Sequence, residues 1–329
     1  MNTKNIAVIT PISHLDGIVE LLSTKGTVFL HEESSAEQVR EVLITRNIDI
    51  IVCNPNQQTY KLGKELLQDT NVKIINSCST GLNHIDLAYC KQHSIEIQCH
   101  KNDYELINQL PSTSELAFGL MLSLLRHIPQ CTLHVENGGW DYTQFMGRQV
   151  KDLRIGIVGY GRLGKMMYNF CKAFGAEVMV VDPLEGNIGC SCIEEMFEKS
   201  DVISLHVHVT DETKYMIDKK LLGYMKKNSY IVNTSRGEIV NERDIVDALK
   251  NGVLGGYATD VVENEFPDAS LNHRRVPCPP ALPAVAEPAT AVGRPAVVTS
   301  TWPLVVSINW LVLVVVAVDV FFAPSTNSG

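Results

Sequence analysis

The chain has 329 residues, 45% of them hydrophobic, and a formal net charge of −9 at pH 7. This length predicts two domains, and an acidic chain without an evident basic face argues against nucleic acid as a partner. The nine cysteines are scattered, and the close pair Cys190 and Cys192 has no second pair to complete a zinc site, so no metal is expected. Such cysteine usage, and a first segment without the basic start of a signal peptide, favour a cytoplasmic location.

Residues 1–100 alternate between strand-like and helix-like segments. Strands are predicted at Ile6–Thr10, Thr27–Leu30, Ile48–Cys53, Lys73–Asn76 and Ile95–Gln98. Helices are predicted between them, as at Leu15–Thr24, Ala36–Arg46 and Ile85–His93. This alternation is typical of parallel βαβ units with right-handed crossovers. We therefore expect the first hundred residues to form a small, doubly wound α/β domain.

A turn-rich loop, Ser77–Asp86, follows the fourth predicted strand. Open α/β sheets bind ligands at the carboxyl ends of their strands, so this loop is a candidate ligand site. The alternative is an ordinary strand-to-helix turn with Asn83 or His84 near the helix cap, and the local pattern does not separate the two.

A polar stretch, residues 101–111, ends in Pro111 and is interpreted as a hinge. A long helix is predicted next, at Ser114–Arg126, with Ser112 as its N-cap. The helix is apolar on most faces, which predicts that it is buried between layers and connects two domains.

A strand, a glycine-rich turn and a helix follow one another between residues 154 and 174. The turn has the pattern G-x-G-x-x-G, formed by Gly159, Gly161 and Gly164. In this motif the first glycine permits a tight turn, the second lets the backbone approach a pyrophosphate, and the third lets the helix pack closely on the sheet. The alternative is a glycine-rich turn in another kind of α/β protein.

The residues beyond this turn favour dinucleotide binding. The helix begins at Arg162, so Arg162 and Leu163 would offer N–H groups and the positive end of the helix dipole to the pyrophosphate. A second strand, Glu177–Val181, ends at Asp182, about 20 residues beyond the turn, where an acid is expected to bind the ribose 2′-hydroxyl of NAD. Because Asp182 would repel a 2′-phosphate, we expect NAD rather than NADP.

Three further strands complete the predicted second sheet. They lie at Val202–Val209, Tyr230–Asn233 and Gly255–Asp260, with a helix at Glu242–Lys250. The carboxyl ends of parallel strands share one edge of a sheet, so Arg236, Asp260 and Glu265 are expected to converge where the cofactor binds.

These motifs together resemble the D-isomer-specific 2-hydroxyacid dehydrogenases, a family that includes D-3-phosphoglycerate dehydrogenase. The resemblance runs from residue 1 to about residue 267, and implies two doubly wound (Rossmann- or flavodoxin-like) parallel-sheet domains with an interdomain cleft. Residues 1–100 would be the substrate domain and residues 101–268 the NAD-binding domain. The motifs that carry it are Gly159–Lys165, Ser204–Val207 with Thr213, Val232–Gly237, and Thr259–Val261 through Glu265.

The resemblance also implies roles for matched residues around the cofactor and substrate. Asp260 and the carbonyl of Thr234 would orient the nicotinamide carboxamide. Backbone N–H groups of Thr80 and Gly81 would bind the substrate carboxylate.

Two further residues would take part in catalysis in the family's pattern. Arg236 would bind the carboxylate and polarise the keto oxygen, and a guanidinium fork suits a 2-oxo acid. Glu265 would hold a catalytic histidine, since a neighbouring carboxylate favours the imidazolium and fixes its tautomer. The alternatives are a surface ion pair for Arg236 and a solvated loop acid for Glu265.

The family's catalytic histidine lies in a Pro-His-hydrophobic-Gly type of motif, and this motif is absent here. Beyond Glu265 the sequence has one histidine, His273, which comes too early and in a different context. His206 and His208 lie on another strand and are poorer candidates, and a packed core role is favoured for His206.

The composition changes abruptly near residue 269. Residues 276–303 are rich in Ala, Pro and Val and read as disordered, and Leu304–Ala323 is an apolar run close to the length of a membrane span. Asn309 and Asp319 within that run, and the lack of flanking Lys or Arg, count against a membrane span. Residues 269–329 are therefore interpreted as an atypical, disordered or frameshifted tail.

The leading hypothesis is an NAD-dependent oxidoreductase that transfers a hydride between NAD(H) and a D-2-hydroxy acid or its 2-oxo acid. One alternative is a catalytically impaired, NAD(H)-binding regulatory protein, and another is a membrane-anchored variant. We expect a small-molecule substrate and a homodimer. Phosphoglycerate, glyoxylate, hydroxypyruvate and small sugar acids remain open as substrates.

Overall fold

The computed structural model describes residues 4–32, 34–55, 60–263 and the backbone of 296–299. The described residues form two compact units, one reaching to Leu110 and one beginning at Pro111. Glu265, His273 and the apolar run Leu304–Ala323 lie outside the described residues.

The first unit is a five-stranded parallel sheet in the order β2-β1-β3-β4-β5. Its strands are β1 Lys4–Val8, β2 Gly26–Leu30, β3 Ile50–Cys53, β4 Ile74–Ser77 and β5 Glu96–Cys99. Its helices are α1 Ile18–Ser23, α2 Ala36–Thr45, α3 Lys64–Leu67, α4 Leu87–Gln92 and α5 Tyr104–Ile107, with a 3₁₀ turn at His100–Asn102. All five predicted strands are present.

Separate apolar layers cover the two faces of this sheet, which confirms the doubly wound arrangement. One layer contains Leu43, Ile51 and Ile75, and the other contains Val8 and Ile18. Parallel sheets are buried on both faces in this way because crossover helices cover each side.

Two helix starts in the chain differ from the prediction. Helix α1 begins at Ile18 rather than Leu15, because Gly17 has a φ of 81°, in the left-handed region where a right-handed helix cannot continue. Ser112 was expected as an N-cap, but it is the first residue of its helix, and Pro111 holds the cap position in a right-handed helical conformation.

The second unit contains a six-stranded parallel sheet in the order β11-β10-β9-β8-β6-β7. Its strands are β6 Arg154–Val158, β7 Glu177–Val181, β8 Val202–Leu205, β9 Ser229–Asn233, β10 Leu254–Thr259 and β11 Ala296–Thr299. Its helices are α6 Ser112–Leu125, α7 Ile128–Glu136, α8 Arg162–Ala173, α9 Ile193–Lys199, α10 Lys219–Leu222 and α11 Glu242–Lys250. Short 3₁₀ turns lie at Tyr142–Phe145, Val150–Asp152 and Gly237–Ile239.

The strand order of the second unit locates a ligand crevice. The chain passes from β6 to β7 on one side, then crosses back to place β8 on the other side of β6. Open α/β sheets bind ligands at the carboxyl ends of strands where the order reverses in this way. The carboxyl end of β6, where the glycine-rich turn begins, is at this switch point.

Helix α6 is buried along most of its length, as its apolar sequence predicted. Phe118, Met121 and Leu125 join the core that β6, β7 and α8 share, and the Ser114 hydroxyl donates to the carbonyl oxygen of Leu163 at 3.0 Å. No single described helix is long and apolar enough to cross a membrane; Tyr104–Leu125 and Ile128–Glu136 meet that test only as a pair bent by 60°.

Candidate functional site

The three glycines of the turn between β6 and α8 meet different surroundings. Gly159 has a φ of 93°, and a Cβ there would lie 2.6 Å from the carbonyl oxygen of His206. A Cβ on Gly164 would overlap the carbonyl oxygen of Gly159. A Cβ on Gly161 would meet nothing within 4 Å. The first and third glycines are therefore required by packing, whereas the second leaves open space above the turn.

Helix α8 begins directly at this open space. Gly161 occupies its N-cap position and offers no side chain to cap it, so the N-terminal end of the helix faces the space with its backbone. Arg162, the first residue of the helix, is half-buried, and this burial lowers the pKa of its guanidinium. A helix N-terminus presents N–H groups and a partial positive charge, which suit a phosphate group.

Asp182, at the end of β7, is hydrogen-bonded to the glycine-rich turn. Its Oδ2 accepts from the N–H of Tyr160 at 2.6 Å, and its Oδ1 accepts from the N–H groups of Leu184 at 2.8 Å and Glu185 at 2.9 Å. Desolvation opposes ionisation, but these N–H groups and the charge of Lys165 outweigh it and hold the pKa of Asp182 below its usual value. The carboxylate is therefore ionised at neutral pH and fixed beside the turn.

Two buried polar groups at the carboxyl ends of β9 and β10 have no hydrogen-bond partner among the described residues. They are the hydroxyl Oγ1 of Thr234 and the carboxylate Oδ1 of Asp260. They are neighbours, because each follows a residue of the parallel pair Asn233 and Thr259. Buried polar groups are normally hydrogen-bonded, so this pair suits polar atoms of a ligand.

The environment of Asp260 also disfavours its charge. Burial raises the pKa of Asp260 to about 6, and the positive charge of Arg236 offsets only part of that rise. A carboxyl group in such a site gains from a ligand that donates hydrogen bonds to it, as the amide of a nicotinamide can.

Arg236 lies in a loop that its neighbours hold in place. The amide Nδ2 of Asn233 donates to the Arg236 carbonyl oxygen at 2.9 Å, and the Ser235 hydroxyl donates to the Leu205 carbonyl oxygen at 2.7 Å. A guanidinium N–H of Arg236 donates to the Ser235 carbonyl oxygen at 2.6 Å. Arg236 is half-buried and forms no ion pair with a described residue, so its charge remains available to a ligand.

Gly237 ties this loop to the segment after β10. A Cβ at Gly237 would overlap the backbone between Val262 and Glu263. Glu263 is also held by side chains, since its N–H donates to the Glu242 carboxylate at 2.7 Å and its own carboxylate accepts from the Tyr215 hydroxyl. The last described residues before Glu265 are therefore fixed against the loop of Arg236.

Thr80 and Gly81 lie in the first unit, in the loop that follows the carboxyl end of β4. Thr80 is exposed and Gly81 half-buried. Within the described residues, no acceptor partners the N–H group of either residue. The N-cap of the next helix, α4, is Asp86, whose Oδ1 accepts from the N–H of Tyr89 at 3.0 Å, so Asn83 and His84 lie near the cap without supplying it.

His206, which directly follows β8, contacts a serine and no described carboxylate. His206 is half-buried with its Nε2 2.8 Å from the Ser204 hydroxyl, and burial lowers its pKa to about 4. His208 is exposed. Within the described part of the chain, no group of three or more His, Cys, Asp or Glu side chains could hold a metal ion.

Some residues of the site escaped the sequence analysis. The Thr234 hydroxyl was missed because only its carbonyl matched the family pattern, and a buried hydroxyl without a partner leaves no mark in the sequence. The Tyr160 N–H was missed because any residue at the middle of the turn supplies one.

Comparison with known families matches both units. Residues 6–102 match the catalytic domain of the D-isomer specific 2-hydroxyacid dehydrogenases, and residues 118–289 match the NAD binding domain of the same family. The glycine-rich turn, Asp182, Thr234 and Asp260 all lie within the second match, and the open space above Gly161 and the unpartnered Asp260 oxygen fit such a cofactor.

Curated relatives agree with this assignment. The chain is 30% identical to D-3-phosphoglycerate dehydrogenase of Methanocaldococcus jannaschii over 268 residues, 79% of this chain and 49% of that protein. It is 33% identical to glyoxylate reductase of Thermococcus litoralis over 235 residues, 67% of this chain and 69% of that protein. The chain spans half or less of the length of the phosphoglycerate dehydrogenases that it matches.

A solved structure extends the agreement to the fold. D-lactate dehydrogenase from Aquifex aeolicus, complexed with NAD and lactic acid, aligns with a TM-score of 0.65 and 25% identity over 79% of this chain and 78% of that one. The family matches and these likenesses together assign NAD as the cofactor. The chain belongs to the D-isomer specific 2-hydroxyacid dehydrogenase family.

Proposed function

We propose that this protein transfers a hydride between NAD(H) and a D-2-hydroxy acid or its 2-oxo acid. The observation that carries the proposal is the composition of one sheet edge in the second unit. There the turn Gly159–Gly164, the guanidinium of Arg236 and Asp260, whose buried Oδ1 has no partner among the described residues, all follow the carboxyl ends of parallel strands. Such an edge can bind a dinucleotide, and the guanidinium of Arg236 supplies the positive charge that a substrate carboxylate needs.

Different residues of the second unit would bind different parts of the cofactor. The backbone around Gly159, Gly161 and Gly164, with the N–H groups of Arg162 and Leu163, would hold the pyrophosphate. Bound NAD supplies the hydride chemistry.

Three side chains would hold the two ends of the cofactor. Asp182 would accept hydrogen bonds from the adenosine ribose, because its carboxylate is ionised and fixed beside the turn. Thr234 and Asp260, whose buried polar atoms have no partner among the described residues, would bind the carboxamide of the nicotinamide.

The substrate would be held by groups that suit a 2-oxo acid. Arg236 would bind its carboxylate and polarise its keto oxygen with a planar guanidinium fork. Thr80 and Gly81 would donate to the carboxylate, which is consistent with N–H groups that have no acceptor among the described residues. In this scheme residues 1–100 form the substrate domain and residues 101–268 the NAD-binding domain. Glu265 holds the position that, in the family's pattern, orients an acid–base histidine.

Oxidation of NADH in the presence of 2-oxo acids tests this function. Glyoxylate, hydroxypyruvate and 3-phosphohydroxypyruvate are the first candidates, because the names of the related proteins indicate these or closely related compounds. We expect turnover with at least one of them and no turnover with simple aldehydes, which lack the carboxylate that Arg236 would bind. Equal turnover of aldehydes and 2-oxo acids would contradict the proposed substrate class.

A second candidate function is that of an NAD(H)-binding regulatory protein with impaired catalysis. The observation that favours it is the sequence after Glu265, which holds one histidine, His273, and no Pro-His motif. A protein of this kind would bind NADH with ordinary affinity while reducing none of the 2-oxo acids, so binding and turnover measured on the same preparation separate the two functions.

A homodimer is proposed for this chain from the surface around α7. No residue of α7 is buried, and Ile128 is 49% and Val135 51% exposed. Trp140, Tyr142 and Met146 follow it and are 90%, 80% and 72% exposed. Large exposed apolar side chains are typical of interaction surfaces, and a second copy of the chain would cover these five. Light scattering of the parent and of Trp140→Glu tests it: the parent should be a dimer and the variant a monomer.

A further inference from the structure

A chain of three hydrogen bonds crosses the loop that follows β4 in the first unit. Nε2 of His84 lies 3.1 Å from the hydroxyl oxygen of Ser77, which lies 2.9 Å from the hydroxyl oxygen of Ser79. The Ser79 hydroxyl donates to the carbonyl oxygen of Gly81 at 2.6 Å. We call these four residues the serine relay. It links a buried imidazole to the peptide of a proposed substrate-binding residue.

The direction of every hydrogen bond in the serine relay follows from its last member. A carbonyl oxygen only accepts, so the Ser79 proton is committed to Gly81. The bond between the two serines must then use the Ser77 proton. The Ser77 oxygen can therefore accept from His84, which requires a proton on Nε2 of the imidazole. The relay fixes His84 as the Nε2–H tautomer.

The surroundings of His84 hold the ring in this neutral form. Ser77 is fully buried and His84 is 8% exposed. Burial lowers the pKa of His84 to about 4, and its Nδ1 has no partner among the described residues, so a second proton there would be a buried charge without a hydrogen bond. The thiol of Cys53, 3.5 Å from Nε2, is a weak second acceptor for the same proton.

The backbone on both sides of the serine relay is also held. The N–H of Leu62 donates to the His84 carbonyl oxygen at 2.9 Å, which fixes the far end of the loop. At the near end, the N–H of Ser79 donates to the Ser77 carbonyl oxygen at 2.7 Å, and the Ser79 carbonyl oxygen accepts from the N–H of His100 at 3.2 Å. Between these anchors, the Ser79 hydroxyl is the described group that holds Gly81.

The serine relay and its anchors therefore fix the backbone at Thr80 and Gly81 and leave the N–H groups of these two residues available to a ligand. The Gly81 carbonyl is occupied by the relay, while the N–H groups of Thr80 and Gly81 have no acceptor within the described chain. Donors held in one orientation before binding cost less conformational entropy when a carboxylate arrives.

We propose that His84 is a positioning residue that aims the N–H groups of Thr80 and Gly81 at the substrate carboxylate through the serine relay. This inference rests on the proposed function, in which those two N–H groups bind the carboxylate of a 2-oxo acid. His84 touches neither substrate nor cofactor in this scheme, and its effect passes through Ser77 and Ser79.

Binding of oxamate to the NADH complex tests the proposal without requiring turnover. Oxamate carries the carboxylate of a 2-oxo acid and cannot be reduced as one. In His84→Leu the donor is lost at similar volume, and we expect oxamate to bind about 10-fold more weakly, as for a weakened charge-assisted hydrogen bond. Glutamine can place an N–H donor near the position of Nε2, so His84→Gln should recover most of the affinity. NADH affinity should be the same in all variants.

Ser79→Ala provides a second, smaller disruption of the same relay. It removes the proton that is donated to Gly81, and it should weaken oxamate binding to about the same extent as His84→Leu does. Because the relay acts as a unit, the double variant Ser79→Ala/His84→Leu should bind oxamate no more weakly than either single variant does. Ser23→Ala is the matched control, since the Ser23 hydroxyl also donates to a carbonyl oxygen, that of Val19 at 2.7 Å, in the same unit but on α1. It should leave oxamate binding unchanged.

The outcomes separate this inference from the proposed function. A parent that binds NADH but no oxamate overturns the proposed substrate class and the role of His84 together. A parent that binds oxamate while Ser79→Ala and a folded His84→Leu bind it equally well overturns the positioning role alone. Additive losses in the double variant would contradict the relay. If His84→Leu fails to fold, as judged by circular dichroism, Ser79→Ala and His84→Gln decide the question.

Discussion

Oδ2 of Asp182 lies 2.6 Å from the backbone nitrogen of Tyr160, the residue between the first two glycines of the turn. This hydrogen bond joins the end of β7 to the turn after β6. It places an ionised carboxylate beside the backbone that would hold the pyrophosphate, in a position where a second negative charge is unfavourable.

We predict that NADH binds about 100-fold more tightly than NADPH, because juxtaposed like charges typically cost several kcal/mol. In Asp182→Asn the preference should fall sharply, mainly through weaker NADH binding and less repelled NADPH. Glu185→Gln is the matched control: it removes a neighbouring charge, one paired with Lys165 at 2.9 Å, and should leave the ratio unchanged. Fluorescence titration with both cofactors measures the ratio, and equal affinities in the parent would refute the assignment of Asp182 to the ribose.

Asp260 gives a prediction on pH. Its pKa is raised from 3.8 to about 6, so between these values the native protein without cofactor binds more protons than the unfolded chain. Its stability contribution is therefore largest at low pH and is lost as pH rises toward 6, by at most about 3 kcal/mol. Asp260→Asn should be more stable than the parent at pH 7.5 and similar at pH 4, in urea unfolding followed by circular dichroism.

The same substitution should weaken NADH binding, because an amide offers one acceptor oxygen where the carboxylate offers two. A stable variant with unchanged NADH affinity would show that the unpartnered Oδ1 does not face the cofactor. If Asp260→Asn loses as much stability as the parent between pH 4 and pH 7.5, the pKa of Asp260 is not raised in the native protein.

The pattern of the sequence was sufficient to predict the first sheet, strands β6 to β10 of the second sheet and the glycine-rich turn. Strand β11 was not predicted, because it lies in a Pro- and Ala-rich stretch that was expected to be disordered. Strands that alternate with helices and a fixed spacing of three glycines are local signals, and each leaves its mark on consecutive residues. Boundaries were less predictable, because they depend on partners elsewhere in the chain. Strand β1 begins at Lys4, before the predicted Ile6, since Lys4 and Asn5 pair with Gly26 and Thr27.

The interactions that organise the candidate site were not predictable in the same way. His84 was weighed as part of a candidate ligand loop or as a residue near the helix cap, and nothing in its sequence context indicates that Ser77 and Ser79 come within reach of its ring. Whether Oδ1 of Asp260 finds a partner among the described residues likewise depends on how β9 and β10 pack. The motifs indicated which residues belong to the site. The direction of each hydrogen bond, and which buried polar groups lack a described partner, depend on the three-dimensional structure.

Two glycines of the turn give a matched pair of variants. Gly164→Ala should destabilise the second unit by about 3 kcal/mol or more, since its methyl group would overlap the Gly159 carbonyl oxygen and a packed interior resists added volume. Gly161→Ala should fold normally, because Gly161 has a φ of −69° and open space around it.

Cofactor binding should show the reverse pattern: per folded molecule, Gly161→Ala should bind NADH more weakly than Gly164→Ala does. The methyl group of Gly161→Ala would occupy the space proposed for the pyrophosphate, so NADH should bind at least 10-fold more weakly with little change in the unfolding midpoint. Normal NADH affinity in Gly161→Ala would place the pyrophosphate elsewhere.

Arg236→Lys should separate charge from geometry at the proposed substrate site. Lysine keeps the positive charge near Asp260 but loses the planar fork that can hold a carboxylate with two hydrogen bonds. We predict unchanged NADH affinity and roughly 10-fold weaker oxamate binding, measured by calorimetry on the NADH complex. The exposed Arg243 on α11 offers the control substitution Arg243→Lys, which should change neither quantity. Unaltered oxamate binding in Arg236→Lys would make Arg236 a structural residue.

The last prediction concerns proton transfer. The turn, Asp182 and Asp260 provide what NADH binding requires, whereas the sequence after Glu265 has no Pro-His motif to supply the proton to a developing alkoxide. General acid catalysis typically contributes ~10²–10⁴-fold. We therefore predict that this chain binds NADH but reduces 2-oxo acids ~10²–10⁴-fold more slowly than a version in which a family-like ending with a Pro-His motif replaces the residues after 268. His273→Ala should cost the original chain no further activity, and the repaired version should bind NADH as the parent does. If the original chain already matches the repaired one in turnover per site, or if His273→Ala abolishes its activity, a histidine of this chain supplies the proton and the protein is a competent dehydrogenase as it stands.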